Sequence, residues 1–322
     1  MSQDPTGLVA WMERRQVAVY VTAMAVGAGI GLIAPGAGSA MEHAINPVLG
    51  ALLYVTFLQV PAVELLRSLR DGRFLGAALV VNFVVVPLVV AGMFTFLPPD
   101  QAIRLGVLLV LLTPCVDYVI VFCGLAGGAS RRLLAATPLL LILQMLLLPV
   151  FLVLFMGPDL ADVVEIGPFV EAFIVLIVIP LTLAWLTQAW AKRHRSGVVV
   201  TEAAGTVMVP LMALTLLVVV ASQVPKLGGN YGVVAQVVPF YVGFLVIMAG
   251  AGWLVARLFR LDPLGGRAVV FTGATRNSLV VLPLALALPN TYAIAAVVIV
   301  TQTLVEVIGM VIYVRVVPQL LP

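Results

Sequence analysis

The 322-residue chain is 63% hydrophobic and 10% charged, with a net charge of only +3. Its mean hydropathy of +1.20 is far above that of soluble domains, so the composition excludes a soluble protein and indicates one embedded in a lipid bilayer. The small net charge gives no reason to expect a nucleic-acid partner. With two cysteines, two histidines and no Cys/His cluster, the sequence predicts no metal site, no cofactor and no enzymatic activity.

Ten apolar segments follow one another along the chain, and each is about as long as the roughly 20 residues that span a bilayer. They begin near Gln16, Ala44, Arg73, Gln101, Arg132, Gly167, Val199, Gly232, Leu264 and Thr291. The connections between them are short. The pattern predicts an all-α integral membrane protein with ten transmembrane helices in a single membrane unit, without a separate soluble domain.

The basic residues predict the direction of these spans. If the N-terminus is cytoplasmic, nearly all of the 17 lysines and arginines fall in cytoplasmic segments; the exceptions are Arg104 and Lys226 in outer loops and Arg276 within a span. Lysine and arginine in short loops favour the cytoplasmic side. We therefore expect a multi-pass protein of the cell membrane with both termini in the cytoplasm.

Short matching motifs occur in residues 1–160 and 161–322. The second and seventh segments both close on Gln-Val-Pro, at Gln59 and Gln223, and Thr113-Pro-Cys-Val-Asp117 in the fourth segment matches Thr272-Gly-Ala-Thr-Arg276 in the ninth. Because five spans separate the members of each pair, the two halves would enter the membrane from opposite sides. The motifs predict two inverted five-helix repeats, 1–160 and 161–322.

The matching motifs also predict breaks in the fourth and ninth helices. Pro114 lacks a backbone donor, and Thr272-Gly273 with Asn277 and Ser278 loosens the ninth span at the corresponding place. Irregular backbone at membrane depth is tolerated only where protein or a water-filled cavity surrounds it. Paired interruptions indicate a transporter binding site, although an ordinary proline kink is the alternative. Thr113, Thr272, Asn277 and Ser278 are therefore candidate binding residues.

Four further residues bring charge or a thiol to this region. Asp117 and Arg276 are expected at equivalent depth and are predicted to pair, either as a static ion pair that fixes helix packing or as a pair that substrate or proton opens. Glu306 lies midway along the tenth span, where it is a candidate carrier of a coupling proton or a partner of a neighbouring helix. Cys115 is a candidate ligand, or a small apolar filler of the kind that buried cysteines often are.

Three stretches resemble motifs of the bile acid:sodium symporter superfamily, and within it the arsenite-efflux permeases and arsenic-resistance proteins. They are CVDYVIVFCGLAGG (115–128), FTGATRNS (271–278) and LVEV (304–307), and the resemblance extends over essentially the whole chain. It implies a core domain and a panel domain, with broken fourth and ninth helices that cross in the core. It also implies that Cys115 and Glu306 match the cysteine and glutamate associated with metalloid transport.

The chain also departs from this pattern. Arg276 stands where an asparagine is expected and Leu279 where an acidic residue is expected, and Asp117 is not the residue expected after that cysteine. A fixed guanidinium repels sodium, so we favour a proton as the coupling ion.

Two functions follow as expectations. The first is proton-coupled efflux, by antiport, of arsenite or a related metalloid by alternating access, with Cys115 as the metalloid contact. The second is ion-coupled transport of an organic anion, in which Arg276 holds the substrate carboxylate and the cysteine only packs. The expected partners are therefore a small inorganic or organic substrate and a coupling ion.

Overall fold

The structure is a computed structural model that describes residues 15–59, 71–116, 118–157, 174–227 and 230–322, together with Gly7, Trp11 and Met12. These residues are helical, apart from connections and one isolated antiparallel bridge. The predicted all-α class is confirmed. The helices are α1 (Gln16–Ile33), α2 (Gly38–Leu58), α3 (Gly72–Phe94), α4 (Gln101–Leu111), α5 (Tyr118–Leu125), α6 (Ser130–Met156), α7 (Ile179–Ala191), α8 (Arg195–Leu227), α9 (Tyr231–Leu258), α10 (Pro263–Ala274), α11 (Ser278–Leu286) and α12 (Ile294–Leu320).

Several of these helices are suited to cross a membrane. Among the described residues, six are long and apolar enough: Ala40–Leu58, Gly72–Phe94, Leu139–Met156, Arg195–Pro225, Tyr231–Leu258 and Asn290–Leu320. The predicted fourth and ninth spans are each divided into two shorter helices. The 11 residues of α4 make a helix about 16 Å long, against a hydrocarbon core of about 30 Å. The total of ten spans therefore stays a prediction.

The first of two compact units comprises residues 1–62 and 170–229, and its described helices are α1, α2, α7 and α8. Glycines allow α1 to pack closely on α8. A Cβ on Gly27 would lie 2.6 Å from the Leu217 carbonyl oxygen, and one on Gly31 would lie 2.9 Å from that of Ala221. Small residues at such contacts let helix backbones approach, which strengthens their van der Waals packing.

The second unit comprises residues 63–169 and 230–322, with helices α3 to α6 and α9 to α12. Within it α12 packs against α4 and α9, and α9 packs against α10. Each unit takes helices from both halves of the sequence. The compact units are therefore divided differently from the predicted repeats 1–160 and 161–322, which remain a prediction.

Ion pairs join three helix N-termini at one end of the second unit. Arg132, in the first turn of α6, contacts Asp262 at 2.6 Å and Asp71 at 3.6 Å. Both aspartates are N-caps, with Asp71 accepting the Phe74 N–H of α3 and Asp262 accepting the Gly265 N–H of α10. The group fixes where α10 begins.

Partial burial raises the pKa of the Asp262 carboxyl, but the hydrogen bond and charge of Arg132 and the Gly265 N–H outweigh it. The pKa of Asp262 therefore lies below its usual value.

Candidate substrate and ion site at the crossing of two broken helices

The breaks in the predicted fourth and ninth spans lie side by side in the second unit. Helix α4 ends at Leu111 and α10 ends at Ala274. Beyond these ends, Pro114 and Arg276 form the antiparallel bridge. The Asn277 N–H donates to the Thr113 carbonyl at 2.8 Å, and the Cys115 N–H donates to the Thr275 carbonyl at 3.2 Å. Because backbone groups in a membrane interior must be paired, this exchange stabilises the two extended segments where they cross.

Side chains next to each break satisfy the helix ends. The Thr113 hydroxyl donates to the Leu109 carbonyl at 2.7 Å, and the Thr275 hydroxyl donates to the Phe271 carbonyl at 2.7 Å. Asn277 is the N-cap of α11, where its Oδ1 accepts the Val280 N–H at 3.2 Å. These hydroxyl and amide groups favour caps and turns over continued helix, so they help to define the breaks.

The Arg276 side chain is fully buried between the helix ends. Its guanidinium donates to four oxygen atoms: Asn82 Oδ1 at 2.8 Å, Thr272 O at 2.6 Å, Gly273 O at 2.8 Å and Leu111 O at 3.2 Å. Three of these are main-chain carbonyls in the last turns of α4 and α10. Carbonyls there lack intrahelical partners, and the helix dipole makes these ends negative. Arg276 therefore caps two helix C-termini at once.

The Glu306 carboxylate, on α12, is buried beside the same break. Its Oε2 accepts the backbone N–H of Arg276 at 2.8 Å and the Gln302 amide, and its Oε1 accepts the Tyr118 hydroxyl. Glu306 thus joins α12 to the first residue of α5 and to the break in the ninth span. A carboxylate at membrane depth is expensive unless it is well paired, and these hydrogen bonds supply that pairing.

Helix α3 contributes Asn82 from a π turn, Val81–Val85. The Asn82 Nδ2 donates to the Ala78 carbonyl at 2.9 Å and to the Thr272 hydroxyl at 3.1 Å, while its Oδ1 accepts from Arg276. Pro87, just after the turn, lacks an N–H and so cannot donate to the Phe83 carbonyl, although the α-helix continues to Phe94. Single π turns inside α-helices often occur at functional sites.

Seven of the eight predicted site residues are described, and all seven are buried at or beside the crossing: Thr113, Cys115, Thr272, Arg276, Asn277, Ser278 and Glu306. Ser278 accepts a hydrogen bond from the Thr303 hydroxyl of α12 at 2.7 Å. Asp117 lies outside the described residues, so its pairing with Arg276 stays a prediction. That these residues bind substrate or ion also stays a prediction.

The structure adds residues that the sequence interpretation missed, namely Asn82, Tyr118, Gln302, Thr303 and Phe244. A signal existed for two of them. Gln302 lies four residues before Glu306 and hence on the same helix face, and Asn82 is a lone amide in an apolar stretch. Nothing in the sequence distinguished Phe244, whose ring centroid lies 5.6 Å from the Arg276 guanidinium carbon.

Three buried polar atoms at the crossing have no hydrogen-bond partner within the described ranges: Asn277 Nδ2, Gln302 Oε1 and Arg276 Nε. Buried polar groups are normally paired. Two donors and one acceptor at the crossing therefore have no partner among the described residues.

A comparison with protein families identifies the group to which this chain belongs. The model of the sodium bile acid symporter family matches residues 46–231, which is more than half of the chain and includes Cys115. The match ends before the ninth and tenth segments, where Arg276 and Glu306 lie. A comparison with curated proteins gives no significant match. The chain belongs to the sodium bile acid symporter family, whose members are multi-pass membrane transporters that move a small substrate with a coupling ion.

Proposed function

We propose that the protein is a proton-coupled efflux carrier for arsenite or a related metalloid, working by alternating access in the cell membrane with both termini in the cytoplasm. The observation that carries the proposal is the position of Cys115. This buried thiol lies within the extended segment that pairs with the broken ninth span. Soft sulfur ligands prefer soft acceptors, and trivalent arsenic is one. Family membership supports transport, and the thiol at the crossing supports a metalloid as its substrate.

A proton is favoured over sodium as the coupling ion because of the charges at the crossing. The Arg276 guanidinium already binds the carbonyl oxygens that a cation would use. Glu306, in contrast, is a buried carboxylate that accepts three hydrogen bonds from different parts of the second unit. Protonation would turn one acceptor oxygen into a donor, so at least one of these contacts would have to change. A proton on Glu306 would thereby alter the geometry of the crossing.

The second candidate, ion-coupled transport of an organic anion, is favoured by the family's link to bile acids. In that function Arg276 would hold the substrate carboxylate. However, both terminal nitrogens of its guanidinium donate to protein oxygens, including the ends of two helices. An anion would have to replace these hydrogen bonds, which favours the metalloid proposal.

Transport in proteoliposomes tests the proposal. Arsenite, antimonite and a bile-acid-like anion are compared under imposed proton and sodium gradients, with the wild type, Cys115→Ser and Cys123→Ser. Cys123 is the matched control because it is also a buried thiol, eight residues further along the chain. We expect arsenite export driven by the proton gradient, lost in Cys115→Ser and retained in Cys123→Ser. Equal arsenite transport by both variants would refute the role of Cys115, and sodium-driven anion uptake would support the second candidate.

A further inference from the structure

We propose that the Arg276 guanidinium is a built-in monovalent cation, and that the oxygen cage around it is a latent site that would bind sodium if the guanidinium were removed. The inference goes beyond the proposed function, because it concerns what holds the crossing together and requires neither arsenite nor a proton as the transported species. It accounts for a fully buried charged side chain at the point where two helices end.

The oxygen atoms around Arg276 are of the type that binds hard metal ions. Its hydrogen-bond acceptors are three main-chain carbonyls and the side-chain amide oxygen of Asn82. Carbonyl and amide oxygens are ligands for hard cations such as calcium, and sodium is a hard cation too. The four acceptor oxygens of Arg276 come from α3, α4 and α10, three separate parts of the second unit. A cation at their centre therefore joins elements that would otherwise present partial negative charges to one another.

The charge at this site matches a monovalent ion. Each helix C-terminus carries the equivalent of about half a negative charge. Two such ends meet at Arg276, and together they correspond to about one negative charge, which one guanidinium balances. The Glu306 carboxylate adds a negative charge beside them, and the N-termini of α5 and α11, which begin at Tyr118 and Ser278, offset it with about half a positive charge each. A divalent ion would leave about one positive charge in excess in a buried membrane site, where uncompensated charge is expensive.

The described contacts separate this role from that of Glu306. The carboxylate accepts the main-chain N–H of Arg276, the Gln302 amide and the Tyr118 hydroxyl. The guanidinium instead donates to the uncharged oxygens and lies near the face of the Phe244 ring, which also attracts cations. The side chain of Arg276 thus binds the helix ends, while its backbone binds the carboxylate.

Thermal unfolding of the full chain in detergent tests the inference, with sodium chloride compared with choline chloride at equal ionic strength. The wild type should unfold at the same temperature in both salts. Arg276→Ala should unfold at a lower temperature in choline, and sodium should raise that temperature to a plateau. Arg267→Ala is the matched control, since Arg267 also donates to carbonyls at helix ends, those of Ala126 and Leu321, but is partly exposed. It should lose stability without recovery by sodium.

Several outcomes would overturn the inference. One is a saturable, sodium-specific rise in the unfolding temperature of the wild type. Another is an Arg276→Ala variant that is as stable as the wild type in choline. The third is a destabilised Arg276→Ala variant that sodium does not stabilise. If Arg276→Ala does not fold in either salt, Arg276→Lys decides, because it keeps the positive charge. A folded, sodium-indifferent lysine variant supports a built-in cation, and an unfolded one refutes it. Because no transport is measured, failure here is distinct from failure of the proposed efflux.

Discussion

Replacing Glu306 gives the sharpest test of how the crossing is held together. Glu306→Ala leaves two buried donors without their acceptor, the Arg276 N–H and the Gln302 amide, whereas the Tyr118 hydroxyl can still donate to the Arg276 carbonyl. An unsatisfied buried donor costs about 1–3 kcal/mol, so the free energy of unfolding should fall by roughly 2–6 kcal/mol. This loss is a large fraction of the roughly 5–15 kcal/mol that typically stabilises a protein.

Glu306→Gln should be far milder, because its amide oxygen can still accept from Arg276 and Gln302. Its amide nitrogen can donate to the Tyr118 hydroxyl, which can turn to the Arg276 carbonyl 3.3 Å away. We expect a loss of about 1 kcal/mol, the net value of a typical hydrogen bond. Proton-driven transport should nevertheless be abolished, since an amide cannot carry the proton.

Denaturant unfolding of the purified protein in detergent, with proteoliposome transport measured beside it, provides the assay. Glu202→Ala is the control for loss of a carboxylate, because Glu202 is exposed on α8, and such substitutions usually change stability by less than about 0.5 kcal/mol. An alanine variant within about 1 kcal/mol of the wild type would refute the described hydrogen bonding. A glutamine variant with intact proton-driven transport would refute the coupling role.

Three further predictions follow from the second unit. Asn82→Leu removes an acceptor of Arg276 and should lower the free energy of unfolding by about 1.5–3 kcal/mol in denaturant unfolding. Asn82→Asp keeps that acceptor and should lower it less. Equal losses would contradict the hydrogen bond between Asn82 and Arg276. Gly106→Ala should be destabilising, because its Cβ would lie 2.9 Å from the Ala295 carbonyl oxygen. The Cβ of Gly92→Ala would meet nothing within 4 Å, so this variant should gain up to about 1 kcal/mol of stability from helix propensity. A Gly106→Ala variant more stable than Gly92→Ala would contradict the packing. Asp262→Asn should lower the unfolding temperature at pH 7. The folded-state pKa of Asp262 is lowered, so its carboxylate stabilises the fold above the usual pKa of about 3.9, and this stability is lost as the pH falls through the folded-state pKa. A difference between the variant and the wild type that persisted in stronger acid would contradict the pairing with Arg132.

The positions of the breaks were predictable because the causes are local. Pro114 lacks an N–H whatever it packs against, and Gly273 with Asn277 weakens a helix within one turn. The partners of the buried charges were not predictable in the same way. The pairing of Asp117 with Arg276 stays a prediction, because Asp117 lies outside the described residues. The described partners of the Arg276 guanidinium, Asn82 and main-chain carbonyls, had no such signal in the motifs.

The amino-acid sequence by itself determined the membrane class, the places where two spans lose their helical pattern and the family motifs around Cys115. These depend on composition and on short-range backbone chemistry. The tertiary structure alone decided that Arg276 caps two helix ends and that Glu306 binds a backbone N–H. Asn82 and Arg276 are 194 positions apart, and only the packing of α3, α4 and α10 brings them together. That packing results from many weak contacts, which no short motif encodes.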